Sequence, residues 1–199
     1  MEENLSSDYS SRKSLHTSEI SKCSKPKDKK DLDNFIILNV ISELLTDICE
    51  DGKSNIDSKI SILKPFISKK IPSISIKDYI ERIIKYSQAF KEIVIIILIY
   101  LDTICGKHKI NLNYNNIHKL IFGAFIVAVK FHEDDCYSIK YYAKLGGISK
   151  KEAINLEYEF MYLIDFKLFV TQKLYEKYYN NLISLQKDDL DDGFDFDSN

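Results

Sequence analysis

Asn116-Ile117-His118-Lys119-Leu120-Ile121-Phe122-Gly123-Ala124-Phe125-Ile126-Val127-Ala128-Val129-Lys130-Phe131 is the stretch whose reading decides the fold. Ile117, Leu120, Ile121, Ala124, Ala128 and Phe131 recur at three- and four-residue steps, the spacing of one helix face. The remaining positions are also mostly apolar, and a helix apolar all round is the buried centre of a bundle. Asn115 or Asn116 can cap its start by accepting backbone N–H bonds. Gly123, Ala124 and Ala128 are small, so neighbouring helices can approach the backbone closely. Lys130 stands at the C-terminal end, where its stem can pack and its ammonium can reach water near the negative end of the helix dipole.

Downstream, a short helix is expected near Ser138 to Leu145, stopped by Gly146-Gly147. Ser149-Lys150-Lys151-Glu152 has the form of a capping box. The helix it opens carries Ala153, Leu156, Phe160, Leu163 and Ile164 on one face. Thr171 can cap a last helix bearing Leu174, Tyr178 and Leu182. Upstream, Ala89 to Cys105 holds the run Ile93 to Leu101. The apolar character extends over about 17 residues, too long for a typical strand, so a helix is expected there, stopped by Gly106. Before it, Ile76, Tyr79, Ile80, Ile83 and Ile84 stripe a helix that begins near Ser75, with Asp78 and Glu81 at its positive end. A first helix is expected from about Leu32 to Cys49, with Ile36, Val40, Leu44 and Ile48 on one face and Asp51-Gly52 ending it. Between these two, Pro65 and Pro72 punctuate an irregular segment that Phe66, Ile67 and Ile71 pin to the core. The sum is an all-α bundle of five core helices with one further helix on each side.

The 199 residues suffice for one domain with flanking segments. Six Gly and three Pro are too few for a many-stranded sheet. Residues 1–30 are rich in Ser, Lys and Glu and are expected to stay disordered, leaving a domain over 31–185 and an acidic disordered tail over 186–199. Net charge is −2, which gives no overall drive toward nucleic acid or anionic membranes. The longest apolar run falls far short of the ~20 residues that span a bilayer. Four scattered cysteines without a CxxC indicate free thiols in a reducing compartment, with no zinc site. His132, Glu133, Asp134, Asp135 and Cys136 are contiguous and cannot all converge on one ion, so no metal is expected. There is no phosphate-cradling glycine string and no kinase motif, so neither a cofactor nor catalysis is expected of the chain itself.

Four blocks of this sequence resemble the cyclins, specifically the P/U type found with phosphate-signalling kinases. They are Ile71-Pro72-Ser73-Ile74-Ser75-Ile76-Lys77-Asp78-Tyr79-Ile80-Glu81-Arg82-Ile83-Ile84-Lys85-Tyr86; Ile99-Tyr100-Leu101-Asp102; Ala128-Val129-Lys130-Phe131; and Tyr141 to Ser149 with Leu156 to Phe160 and Leu163 to Leu168. The resemblance covers roughly Leu32 to Leu182. Thr103, His132, Asp135 and Ser138-Ile139 depart from the usual pattern. The resemblance implies a five-helix cyclin box around the central apolar helix, with the extra N-terminal and C-terminal helices outside it. It implies a regulatory protein of the cytoplasm or nucleus, acting in cell-cycle or phosphate signalling, that forms a heterodimer with a cyclin-dependent serine/threonine kinase and activates it. The alternative from the same fold is a scaffold or transcription-factor-like module without kinase activation.

The resemblance also implies residue roles. Lys130 and Glu157 would bond the kinase backbone beside its regulatory helix, the ammonium supplying donors and the carboxylate acceptors. Phe131 and Met161 would form the apolar core of that contact, with Leu168 a weaker candidate. Arg82 and Asp102 would form a structural ion pair locking the first two box helices together.

Overall fold

The computed structural model describes residues 29–52, 61–87, 89 and 92–191. The expectations for residues 1–28 and 192–199 therefore fall outside the described residues. The chain divides into two units, Met1–Asp33 and Asn34–Asn199, and the architecture below is that of the second. Among the described residues there are seven α-helices and no strand: α1 (Lys29–Asp51), α2 (Ile76–Ser87), α3 (Ile93–His108), α4 (Ile117–His132), α5 (Ile139–Gly146), α6 (Lys150–Leu163) and α7 (Gln172–Asp191). A 3-10 turn, η1 (Ser61–Phe66), lies between α1 and α2. This is the all-α architecture expected from the central stretch.

α4 is the buried axis. All its residues from Ile117 to Val129 except Lys119 are buried. Its main neighbours are α6 and α3, with α2 and η1 on other sides. Gly123 explains how close α6 comes: a Cβ there would meet the Phe160 side chain at 3.0–3.2 Å. Phe160 fills the space that glycine leaves, and Phe66 of η1 packs edge-on against it at 6.3 Å. Burying a large apolar side chain of this kind contributes about 1.5–3 kcal/mol.

The helix ends show local chemistry acting where it was expected, with exceptions. Ser75 Oγ accepts the Asp78 N–H at 3.0 Å and donates to its carboxylate at 2.7 Å, closing the start of α2. Gly147 takes the left-handed conformation (φ +70) that ends α5. Ser149 Oγ accepts the Glu152 N–H at 3.1 Å, but the Glu152 carboxylate pairs with Lys119 at 2.8 Å instead of completing a capping box. Thr171 Oγ1 accepts from Leu174 N–H at 3.2 Å. Asn116 does not cap α4 with its side chain. Its Oδ1 instead accepts from Asn113 N–H at 3.0 Å and so ties up the preceding loop.

Gly106 does not stop α3. The helix runs to His108, and Lys109 takes the left-handed turn (φ 54). Contacts from the end of α6 hold this last turn: His108 Nε2–H donates to Leu163 C=O at 2.8 Å, and Lys107 pairs with Asp165. The buried stripe of α1 is Ile37, Ile41, Leu45 and Cys49, one residue on from the predicted face; Ile48 is exposed. In the segment before α2, Phe66 is fully buried with Leu63, but Ile67 and Ile71 are exposed and pin nothing. α7 extends to Asp191, past the start expected for the acidic tail. No described helix is long and apolar enough to cross a membrane.

Candidate partner-binding face

Among the described residues α4 packs extensively against α6, and their contact carries two charged groups to one edge. Lys130, in the last turn of α4, places Nζ 2.7 Å from Glu157 Oε1 and 2.8 Å from Oε2. The Lys130 side chain is 38% exposed and that of Glu157 19%. The pair is thus formed at the surface, with both groups still open to water on one side. Phe131, next to Lys130, is half-exposed, and its ring stands edge-on to His132 at 5.0 Å. It is therefore not part of the core. Met161, one turn beyond Glu157, is partly buried against the core, as is Leu168.

A buried phenol lies beneath this edge. The Tyr100 hydroxyl donates to Leu168 C=O at 2.6 Å and sits 3.1 Å from His132 Nε2. A carbonyl can only accept, so the hydroxyl proton goes to Leu168. His132 must then donate through Nε2–H. Burial holds the His132 imidazole below its usual pKa, partly offset by the Leu168 backbone, and pushes the Tyr100 phenol well above its own. Tyr100 thereby ties α3 to the end of α4 and to the segment after α6.

The second expected pair, Arg82 with Asp102, does not form. Asp102 accepts a hydrogen bond from the Tyr178 hydroxyl of α7. Burial and that carboxylate together push the Tyr178 phenol up to about 12. Arg82 lies over the Tyr79 ring, 5.2 Å from its centroid, and its buried Nε–H has no partner. The reason is architectural: α2 and α3 are scarcely in contact, so Arg82 faces α5 while Asp102 faces α7. Among the described residues no cluster of His, Cys, Asp and Glu could hold a metal ion.

A further feature of this edge escaped the sequence reading. Ile154, Tyr158 and Tyr162 on α6, and Phe166 and Phe169 beyond it, are all exposed. Their signal was the four-residue spacing from 154 to 166, on the helix side away from Ala153, Leu156 and Phe160.

Comparison with known proteins agrees with this architecture. The family model described as Cyclin matches residues 8–168. The chain is 35% identical over 149 residues to Cyclin-U4-2 of Arabidopsis thaliana, covering 73% of this chain and 69% of that protein. It is 34% identical over 144 residues to PHO85 cyclin-7 of Saccharomyces cerevisiae, covering 66% and 50%. It is 38% identical over 121 residues to PHO85 cyclin-like protein psl1 of Schizosaccharomyces pombe, covering 60% and 50%. The chain spans about half the length of several curated relatives it matches. With a buried central helix, box helices packed around it and a family match over most of its length, this chain belongs to the cyclin family and is of the P/U type.

Proposed function

We propose that this protein is the regulatory subunit of a cyclin-dependent serine/threonine kinase of the PHO85 type, which it binds and activates in the cytoplasm or nucleus. The chain does no phosphoryl transfer itself. The observation that carries the reading is the Lys130–Glu157 pair at the α4–α6 edge, with Phe131 exposed beside it. A protein backbone offers N–H donors and C=O acceptors. The ammonium answers the carbonyls, and the carboxylate answers the N–H groups. Because each group already orients the other, little side-chain entropy remains to be lost on binding. Phe131 and Met161 supply apolar contact on either side.

Activation then follows from differential binding. A kinase whose regulatory helix swings between two positions is shifted toward whichever one the cyclin contacts better. Held inward, that helix completes the Lys–Glu ion pair that positions ATP phosphates inside the kinase. The test is a kinase assay with a recombinant PHO85-type kinase and a peptide substrate. Adding this chain should raise phosphorylation by tenfold or more. An unchanged rate, with the two proteins shown to be folded, contradicts the reading.

A further inference from the structure

A groove of about 600 Å³ lies between α1 and α7. Leu44 and Ile48 of α1 form one wall, Leu182 and Leu185 of α7 the other, and Leu98 and Leu101 of α3 the floor. Among the described residues α1 and α7 hardly touch, so the space between the walls is left open. The Tyr178 hydroxyl donates to Asp102 and braces α7 against α3. Both lips are apolar: Ile48 is 38% exposed and Leu185 46%. Left in water, these side chains forgo the stabilisation that burial gives.

The walls share one spacing. α1 presents Leu44, Ile48 and Asp51, and α7 presents Tyr178, Leu182 and Leu185, each set at steps of four and then three residues. Each row covers two turns, about 10 Å of helix. A third helix laid between two such rows can seat its ridges in their grooves. The charges are uneven. Asp47, Glu50 and Asp51 crowd the end of α1, whose last turn has no basic residue. This is the negative end of the helix dipole, where carboxylates are disfavoured. Glu50 accepts from the Tyr114 hydroxyl at 3.4 Å. Among the described residues, neither Asp47 nor Asp51 joins an ion pair. Among the groove's lining residues the cation is Lys177, on the α7 side.

We propose that this groove seats a basic amphipathic helix of a partner protein, with its apolar stripe on α3 and its lysines or arginines along the end of α1. Apolar anchors at three- and four-residue steps over two turns match the length of the walls. Cations beside Asp47 and Asp51 offset the repulsion between those carboxylates and the α1 dipole, which the fold by itself leaves standing. Lys177 sets the orientation, because it repels a basic flank turned toward α7. No lining residue belongs to α4 or α6, so the groove stands apart from Lys130 and Glu157 and the proposal does not rest on the kinase reading.

The experiment offers the full chain a displayed library of random peptides about 16 residues long, enough for four turns of helix. Peptides enriched on the wild-type chain should be net positive, with apolar residues at three- and four-residue spacing. A synthetic copy of the most enriched peptide should bind at least about tenfold more weakly to the chain with Ile48→Ser and Leu185→Ser, two exposed positions. Asp47→Asn with Asp51→Asn should weaken binding about threefold or more and raise the melting temperature, since it removes charge from the negative end of α1. On the wild-type chain the peptide should shift the amide signals of α1 and α7 and leave those of α6 in place, a readout that needs no variant. No enrichment, enriched peptides that are acidic or lack the spacing, unchanged binding by the serine variant, or shifts confined to α6 would each overturn the proposal. A homodimer seen by sedimentation and dissolved by the serine substitutions would assign the groove to a second copy and overturn it equally.

Discussion

Lys130 and Asp102 both stand near the C-terminal ends of apolar helices, yet they meet different company. Lys130 meets a carboxylate across the α4–α6 contact, at an edge flanked by exposed aromatics. Asp102 meets a phenol across the α3–α7 contact. The first arrangement leaves a cation and an anion side by side and accessible, so a protein backbone can be engaged by both at once. The second engages its carboxylate internally, with a phenol hydroxyl of α7. A charge at a helix end is therefore available for recognition or committed to the fold according to which helix packs beside it. For α4 that helix is α6, whose approach Gly123 permits.

The comparison breaks most readily at the α4–α6 contact. Phe160→Ala empties the space against Gly123 and should cost about 3–5 kcal/mol of folding stability in a urea titration. A loss under about 1 kcal/mol would mean that Phe160 does not hold the two helices together.

The same edge should respond to pH. His132 is held below its usual value of 6.5 by burial, so the folded chain keeps it neutral where the unfolded chain takes up a proton. The His132 contribution to stability is therefore fully present above about 6.5 and is lost as pH falls below it, with a slope of at most about 1.4 kcal/mol per pH unit, less where solvent screens the ring; buried His118, also held down, adds its own loss in the same range. His132→Gln should make that part of the stability–pH curve less steep, leaving the share due to His118. An identical curve for the variant would remove His132 from the account.

The smallest effect sharpens the other side of the comparison. A double-mutant cycle between Tyr178→Phe and Asp102→Asn should show coupling of about 0.5–1 kcal/mol. The corresponding cycle between Arg82→Ala and Asp102→Ala should be additive within about 0.5 kcal/mol. Strong coupling in the second cycle would restore the ion pair that the structure does not contain.

Periodicity carried much of the fold into view. α2, α4, α5 and α6 appear where their apolar spacing put them, with Ser75, Ser149 and Gly147 acting at helix ends, because those signals act within a few residues. What stayed hidden depended on neighbours distant in sequence. Gly106 reads as a stop until His108 and Lys107 are seen anchored to the end of α6. The α1 stripe shifts by one residue because nearly every apolar position from Ile36 to Cys49 could have been the buried one. Lys130 and Glu157 were named together only through family resemblance, since 27 positions separate them and spacing alone does not join them. The same resemblance misled for Arg82 and Asp102. The aromatic row on α6 was legible in spacing, but the apolar inner stripe of the same helix masked it.

The most direct measurement exchanges the two charges. Lys130→Glu with Glu157→Lys keeps an ion pair at the α4–α6 edge, so folding and melting temperature should stay close to wild type. The groups offered to a partner's backbone are inverted, however. Truncating one member of a buried pair at an interface typically costs about 2–5 kcal/mol. The exchanged chain should therefore bind a PHO85-type kinase about 30-fold or more weakly than wild type. A folded, exchanged chain that binds with wild-type affinity would contradict the account.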